Sequence, residues 1–376
     1  MKTETLMSLV KIYSGFAFKS SDLKDHGTIP VVRIGNVLKG YSNTYYSGNY
    51  DEIYVVNDGE LLIGMTGEFN VGKWHGGKSL LNQRVCKIES KNKNKLCNNY
   101  LYYFLSKEIT CIQNKKSFST IRNLLVKDLN EVKIFLPEIE IQKRIAEILD
   151  KADGIRKKRE EALKLADSFL RATFLEMFGD PVTNPKGWER KGLNDVGILA
   201  RGKSKHRPRN APDLLGGPYP LIQTGDIANS NHFITQYKQT YSELGLKQSK
   251  LWPKKTLCIT IAANIADTAI LTFDACFPDS VVGFIPNGSV KTEYIHMWLT
   301  FYQNIIREKA PESAQKNINL KILSELKIPI SPISRQEKFV DCFKQVELLK
   351  VKMRDEEKDL EDCFNALTQR AFRGEL

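Results

Sequence analysis

Apolar or small residues at Ile141, Ile145, Ile148, Ala152, Ile155, Ala162, Ala166, Phe169 and Thr173 recur in alternating steps of four and three, broken only by Arg159. That spacing is a coiled-coil seam, and it predicts one helix over about 142–178. Lys143, Arg144, Glu147, Lys151, Arg156, Lys157 and Glu160 fall off the seam, where a long helix presents charge to water. At ~1.5 Å per residue, such a helix is a rod of roughly 55 Å. Ordinary core helices are far shorter, which favours a spacer over a core helix.

The seam returns near the end of the chain. Phe339, Cys342, Val346, Leu349, Met353, Leu360, Cys363 and Leu367 lie 194 positions after Ile145, Ile148, Ala152, Ile155, Arg159, Ala166, Phe169 and Thr173. The chain is a tandem duplication. GTIPVVRIGNV at 27–37 matches GPYPLIQTGDI at 217–227 at an offset of 190, and LLIGMTGEFNV from Leu61 matches LCITIAANIAD from Leu257 at 196. From Tyr100/Tyr294 through Asn123/Asn317, Lys133/Lys327, Gln142/Gln336 and Phe178/Phe372 the offset is 194 without a gap.

Each copy has one plan: short strands and turns, a helix near YLYYFLSKEI or YIHMWLTFYQ, an extended segment, then a rod. The expected class is α+β, with two pseudo-repeated mixed α/β domains at 1–137 and 181–331 joined by two long helices at 138–180 and 332–376. Pro181 and Pro185 stop the first rod. The second head then starts at its far end and the second rod runs back. The expectation is an antiparallel pair with a pseudo two-fold axis and a head at each end. Duplex DNA has matching symmetry, and dimeric DNA readers use it.

Charge sharpens this. A formal charge of +12 and a pI near 9.2 favour a polyanionic partner. Seven cysteines without a CxxC pair suggest neither a disulfide framework nor a zinc site. No run approaches a membrane span, and MKTETLMSLVKIYSG lacks a secretory apolar segment, so the expected compartment is the cytoplasm, without membrane.

SGFAFKSSD, IPVVRIGNV, GELLIGMTGEFNVGKW and LLNQRVCKI in the first head, YSELGLKQSKLWPK and TIAANIADTAI in the second, IQKRIAEILDKADGIRKKRE and FLEMFGDP between them, and RQEKF with AFRGEL at the end carry a family resemblance. Over 14–376 the chain resembles the DNA-specificity subunits of Type I restriction-modification systems. The resemblance implies a non-catalytic subunit whose two heads read an asymmetric, gapped sequence in double-stranded DNA. It also implies two adenine-N6 methyltransferase subunits and ATP-dependent endonuclease/translocase subunits as partners. S-adenosylmethionine, ATP and Mg²⁺ are then expected on those partners and no cofactor on this chain. A departure is the short N-terminus, with no tryptophan before the first head where the second has Gly187, Trp188 and Glu189.

The residues point the same way on catalysis. There is no Asn/Asp-Pro-Pro-aromatic tetrad, and Pro278 and Asp279 stand far from Glu325 and Lys327, a poor match to a metal-dependent nuclease. GKWHGGKS at 72–79 matches the phosphate-cradling GxxxxGK[ST] pattern and leaves a nucleotide-binding enzyme as the alternative. The stretch that follows, LLNQRVCKI, reads as a strand, whereas that loop must open a helix. A specificity component whose partner fuses methyltransferase and nuclease is the other alternative.

The expected DNA contacts in head one are Arg33, Asn36, Asn70, Lys73, Trp74, Lys78 and Arg84, with Lys115 and Lys116 for phosphates. In head two they are the basic run Arg201, Lys203, Lys205, His206, Arg207 and Arg209, and the base-reading candidates Gln223, Thr224, Asp226 and Asn264. Beyond the seam, Leu163, Leu170, Phe174 and Met177 form a second apolar line, widened on the other rod by Phe343, Phe364 and Phe372. These are the expected partner-docking residues.

Overall fold

Both rods form as single helices, Ile139–Phe178 and Ile333–Arg373. The computed structural model describes residues 3–115, 123–206, 208–262, 265–308 and 318–376. Among the described residues no helix is long and apolar enough to cross a membrane. Each rod is shared between two compact units: Met1–Glu160 with Arg354–Leu376, and Glu161–Met353. A unit is therefore one head plus half of each rod.

In the first unit an antiparallel sheet runs in the order Val10–Ser14, Val85–Ser90, Leu61–Gly64, Val71–Lys73. A second sheet contains Ile29–Val32 parallel to Ser79–Leu81. Helix Asn98–Lys115 buries Tyr100, Leu101, Phe104 and Leu105 against the rod residues Ile145, Leu149 and Ala371. Strand Thr3–Thr5 closes the unit by pairing with Lys133–Phe135.

The second unit repeats the plan. Its larger sheet runs Gly197–Arg201, Val281–Pro286, Leu257–Thr260, Thr268–Leu271, Phe233–Ile234, and its smaller one pairs Leu215–Leu221 parallel with Ala275–Cys276. Glu189–Gly192 pairs with Lys327–Ile330, as Thr3–Thr5 does with Lys133–Phe135. The closing strand of the first unit thus forms without a counterpart of Trp188.

Hydrogen bonds repeat as well. Buried Gln142 accepts from the Cys97 amide at 3.0 Å and donates to Lys95 and Pro137 carbonyls at 2.9 and 2.8 Å. Gln336, 194 positions later, accepts from the Lys291 amide and donates to the Ser331 carbonyl, both at 2.9 Å. Tyr100 and Tyr294 likewise donate to the carbonyls of Phe135 and Pro329.

Within each unit the half-rods are antiparallel. Arg156 meets Glu361 and Arg159 meets Glu356 in the first, while Asp167 meets Lys350 and Phe174 meets Phe339 in the second. The buried face differs from the expected seam, however. Ile155, Phe169 and Leu349 are more than half exposed, whereas Leu170, Phe174 and Phe343 are fully buried. The head packs beside each helix pair, so the stripe facing both neighbours goes inside. Consequently the expected docking line, Leu163 apart, packs against the protein's own heads. Met177 packs on the core of the second unit, Phe364 and Phe372 pack against Tyr103, Tyr100 and Phe104 of the first, and Leu163 is half-buried.

Candidate nucleic-acid interface

In head one the aromatic candidate is internal. Trp74 is fully buried and its indole N–H donates to the Gly77 carbonyl at 2.8 Å. Lys73 also turns inward, with Nζ 3.4 Å from Asp150 Oδ1 and 4.7 Å from the centre of the Tyr102 ring. It braces the head on the rod. Asn36 and Asn70 serve turns: Asn36 Oδ1 accepts the Arg33 amide at 2.9 Å, and Asn70 donates to the Glu68 carbonyl. Lys78 is half-exposed and pairs with Glu52 at 2.9 Å. The side chains of Arg33, Arg84 and Lys115 are exposed.

In head two Arg201 ends an edge strand, and Arg201, Lys203, Lys205 and Arg209 are all exposed. Two residues that the sequence did not connect with this loop hold it. Gln248 Oε1 accepts the Lys205 and His206 amides at 2.6 and 3.1 Å, and Asp279 pairs with Arg209. Neither could be found from spacing, because each lies over 40 positions from the loop it fixes. Lys250 lies 3.8 Å above the buried Trp252 ring. Asp226 Oδ2 accepts the Gln223 amide at 2.8 Å, so Asp226 is a cap, while Gln223 is exposed and Thr224 half-buried. Lys116, Arg207 and Asn264 lie outside the described residues.

The 72–79 segment does not form a phosphate cradle. It joins strands Val71–Lys73 and Ser79–Leu81, with no helix after it. The Asp58 carboxylate accepts the Gly77 amide at 2.7 Å, and Lys78 is engaged by Glu52. A carboxylate against that amide repels a phosphate.

Asp167, His232 and Glu347 have the donor set of a metal site, their ligand atoms within 4.8 Å of one another. Lys350 Nζ already sits 2.6 Å from both carboxylates, so an ammonium neutralises them. The Asp167 carboxyl is lowered to about 2, foremost by His232, whose Nε2 lies 3.5 Å away, and then, against partial burial, by Lys350. In the first unit burial raises the Asp153 carboxyl, but hydrogen bonds from Lys157 and Arg156 outweigh it and hold the group below its usual range. Both clusters join helix to helix.

These features define a duplicated binding protein: two like frameworks, unlike exposed polar side chains, and basic loops held from within. The family model for the Type I restriction modification DNA specificity domain matches residues 1–165 and 185–360, and the chain belongs to that family. It is 29% identical to the Type I restriction enzyme EcoBI specificity subunit of Escherichia coli, over 98% of this chain and 85% of that one. The EcoR124I/EcoR124II specificity subunit of Escherichia coli is 22% identical over 89% of this chain and 83% of its own. Among solved structures, the S subunit of the Type I system from M. genitalium matches with a TM-score of 0.58 at 15% identity, covering 99% of this chain and 96% of that one. A chain from a study of complex assembly in the Type I system matches at 0.56 and 17%, covering 98% of each.

Proposed function

We propose that this chain is the non-catalytic reading subunit of its system, recognising an asymmetric, gapped DNA site with one half per head. The observation that carries this reading is the duplication itself: the same strand pairs, caps and buried glutamines recur, while exposed residues such as Arg33 and Gln223 differ. Like frameworks with unlike surfaces suit unlike half-sites. The basic run from Arg201 supplies phosphate contacts, which position a protein on duplex without specifying sequence.

Two adenine-N6 methyltransferase subunits dock on the rods, and endonuclease/translocase subunits join for cleavage. S-adenosylmethionine, ATP and Mg²⁺ belong to those partners, and the assembly works in the cytoplasm. Exposed Ile155 on the half-rod of the first unit, and exposed Leu165, Phe169, Leu348, Leu349 and Val351 on those of the second, support rod docking. Apolar side chains standing together on a helix call for a cover.

The test is to co-express the chain with the modification subunit of its own locus and map every N6-methyladenine in the host DNA. A gapped motif with two unlike halves is expected. Co-purification without such a motif removes the reading role, and failure to associate removes rod docking. Deleting one or two turns from both rods in step is expected to shorten the gap and leave the halves intact.

A further inference from the structure

We infer that Arg33 and Gln223 are matched specificity determinants, Arg33 reading a guanine in one half-site and Gln223 an adenine in the other. This deepens the proposed function and rests on it. The two residues are equivalent, at an offset of 190 inside IPVVRIGNV and YPLIQTGDI. Each follows a strand in parallel pairing, Ile29–Val32 on Ser79–Leu81 and Leu215–Leu221 on Ala275–Cys276.

Each backbone is fixed by the same device. The third residue after it, Asn36 or Asp226, accepts its amide at 2.9 or 2.8 Å. That bond occupies the main chain and leaves the side chain exposed. The neighbouring candidates are used internally: Trp74 is buried, Lys73 reaches Asp150, and Asn36 and Asp226 are the caps. What differs between the heads at this place is the outward group.

The chemistry then selects the base. A guanidinium fork matches the O6 and N7 acceptors of guanine, and a carboxamide matches the N6 donor and N7 acceptor of adenine. Among the described residues no acid pairs with Arg33. The Gln223 amide is oriented by Gln239, whose Oε1 lies 3.3 Å from its Nε2, leaving the Gln223 Oε1 and a second N–H for a base edge. Gln239 stands opposite Leu221, and the first copy has Thr44 there, bonded through its carbonyl to the Val31 amide. Threonine is too short to hold the longer arginine, whose side chain is exposed.

The experiment is selection from randomised duplex DNA by the full chain in complex with its modification subunit, comparing wild type with Arg33→Gln, Arg33→Lys and Gln223→Arg. Thermal unfolding checks that all variants are folded. Arg33→Gln is expected to move one position of one half-site from guanine to adenine by roughly tenfold or more, with the other half unchanged. Gln223→Arg is expected to do the converse in the other half. Arg33→Lys keeps the charge without the fork and should lose guanine preference while retaining most affinity. Unchanged base preferences, or a uniform loss of affinity with the motif intact, would assign these residues to phosphate contact or to no contact and overturn the inference while leaving the proposed function standing. If the wild type enriches no motif, the proposed function itself fails and the inference with it.

Discussion

Lys350 Nζ lies 2.6 Å from Asp167 Oδ1 and 2.6 Å from Glu347 Oε1, with only 1% of its side chain exposed. It ties the two half-rods of the second unit together. The same geometry recurs at the equivalent residues of the other copy, where Arg156 meets Asp153 at 2.8 Å and Glu361 at 3.0 Å. Breaking a buried pair strands its charges. Because Asp167 is about half exposed, Lys350→Met should cost about 2–3 kcal/mol, below the range for a fully buried pair. Adding Glu347→Met should recover more than half of that loss in urea unfolding. If the double variant is no better than the single one, the cluster is not electrostatically frustrated by losing its lysine.

Acid should weaken the same region. His296 is buried, with Nε2 2.8 Å from His232 Nδ1 and Nδ1 2.9 Å from the Thr268 hydroxyl, and Lys350, Asp167 and Glu347 lie beyond His232. Burial first, then repulsion from His232 and Lys350, holds it well below the ordinary 6.5. The unfolded chain takes up a proton that the folded state refuses, so this contribution is complete above that pH and lost below it. Stability should fall by up to ~1.4 kcal/mol per pH unit below about pH 6.5, with Asp167 adding a further loss only below about pH 4. His296→Gln should flatten the first slope, as read from urea midpoints at a series of pH values.

The paired glutamines offer a local test. Gln142→Met keeps the volume but strands the Cys97 amide and two carbonyls, a loss of about 3 kcal/mol. Hydrogen exchange should rise near Cys97 for this variant and near Lys291 for Gln336→Met. Equal changes at both places in either variant would contradict separate clamps.

On DNA, Lys203→Ala and Lys205→Ala should weaken binding alike for all sequences. Each should reduce the slope of log affinity against log salt by about 0.9 if it meets one phosphate. A changed motif would instead make these residues base readers.

The rods and the duplication were legible because a long period and an ungapped register survive in the residues themselves. Which side of a rod is buried was not. Ile155 and Leu170 both sit on apolar lines, and only the head beside Leu170 decides that it goes inside while Ile155 stays out. Trp74 misled for a related reason: a tryptophan between glycines suits an exposed loop, and its burial depends on chain brought in from elsewhere. Gln248 and Asp279 become visible only when the fold sets them beside the basic run. The Asn36 and Asp226 caps had a local signal, an acceptor three residues after the amide it receives, but the same spacing also fits a base reader.

The division of each rod between units has a consequence for synthesis on the ribosome. Residues 354–376 complete the unit that begins at the N-terminus, bringing Phe364 and Phe372 to Tyr103, Tyr100 and Phe104. The second unit ends at Met353 and can close while the first still lacks its last helix. At ~5–20 residues per second, the first-made head waits roughly ten to forty seconds for its final piece. The head translated first is the one finished last, and a nascent chain stalled before Arg354 carries an open aromatic surface for a chaperone to guard.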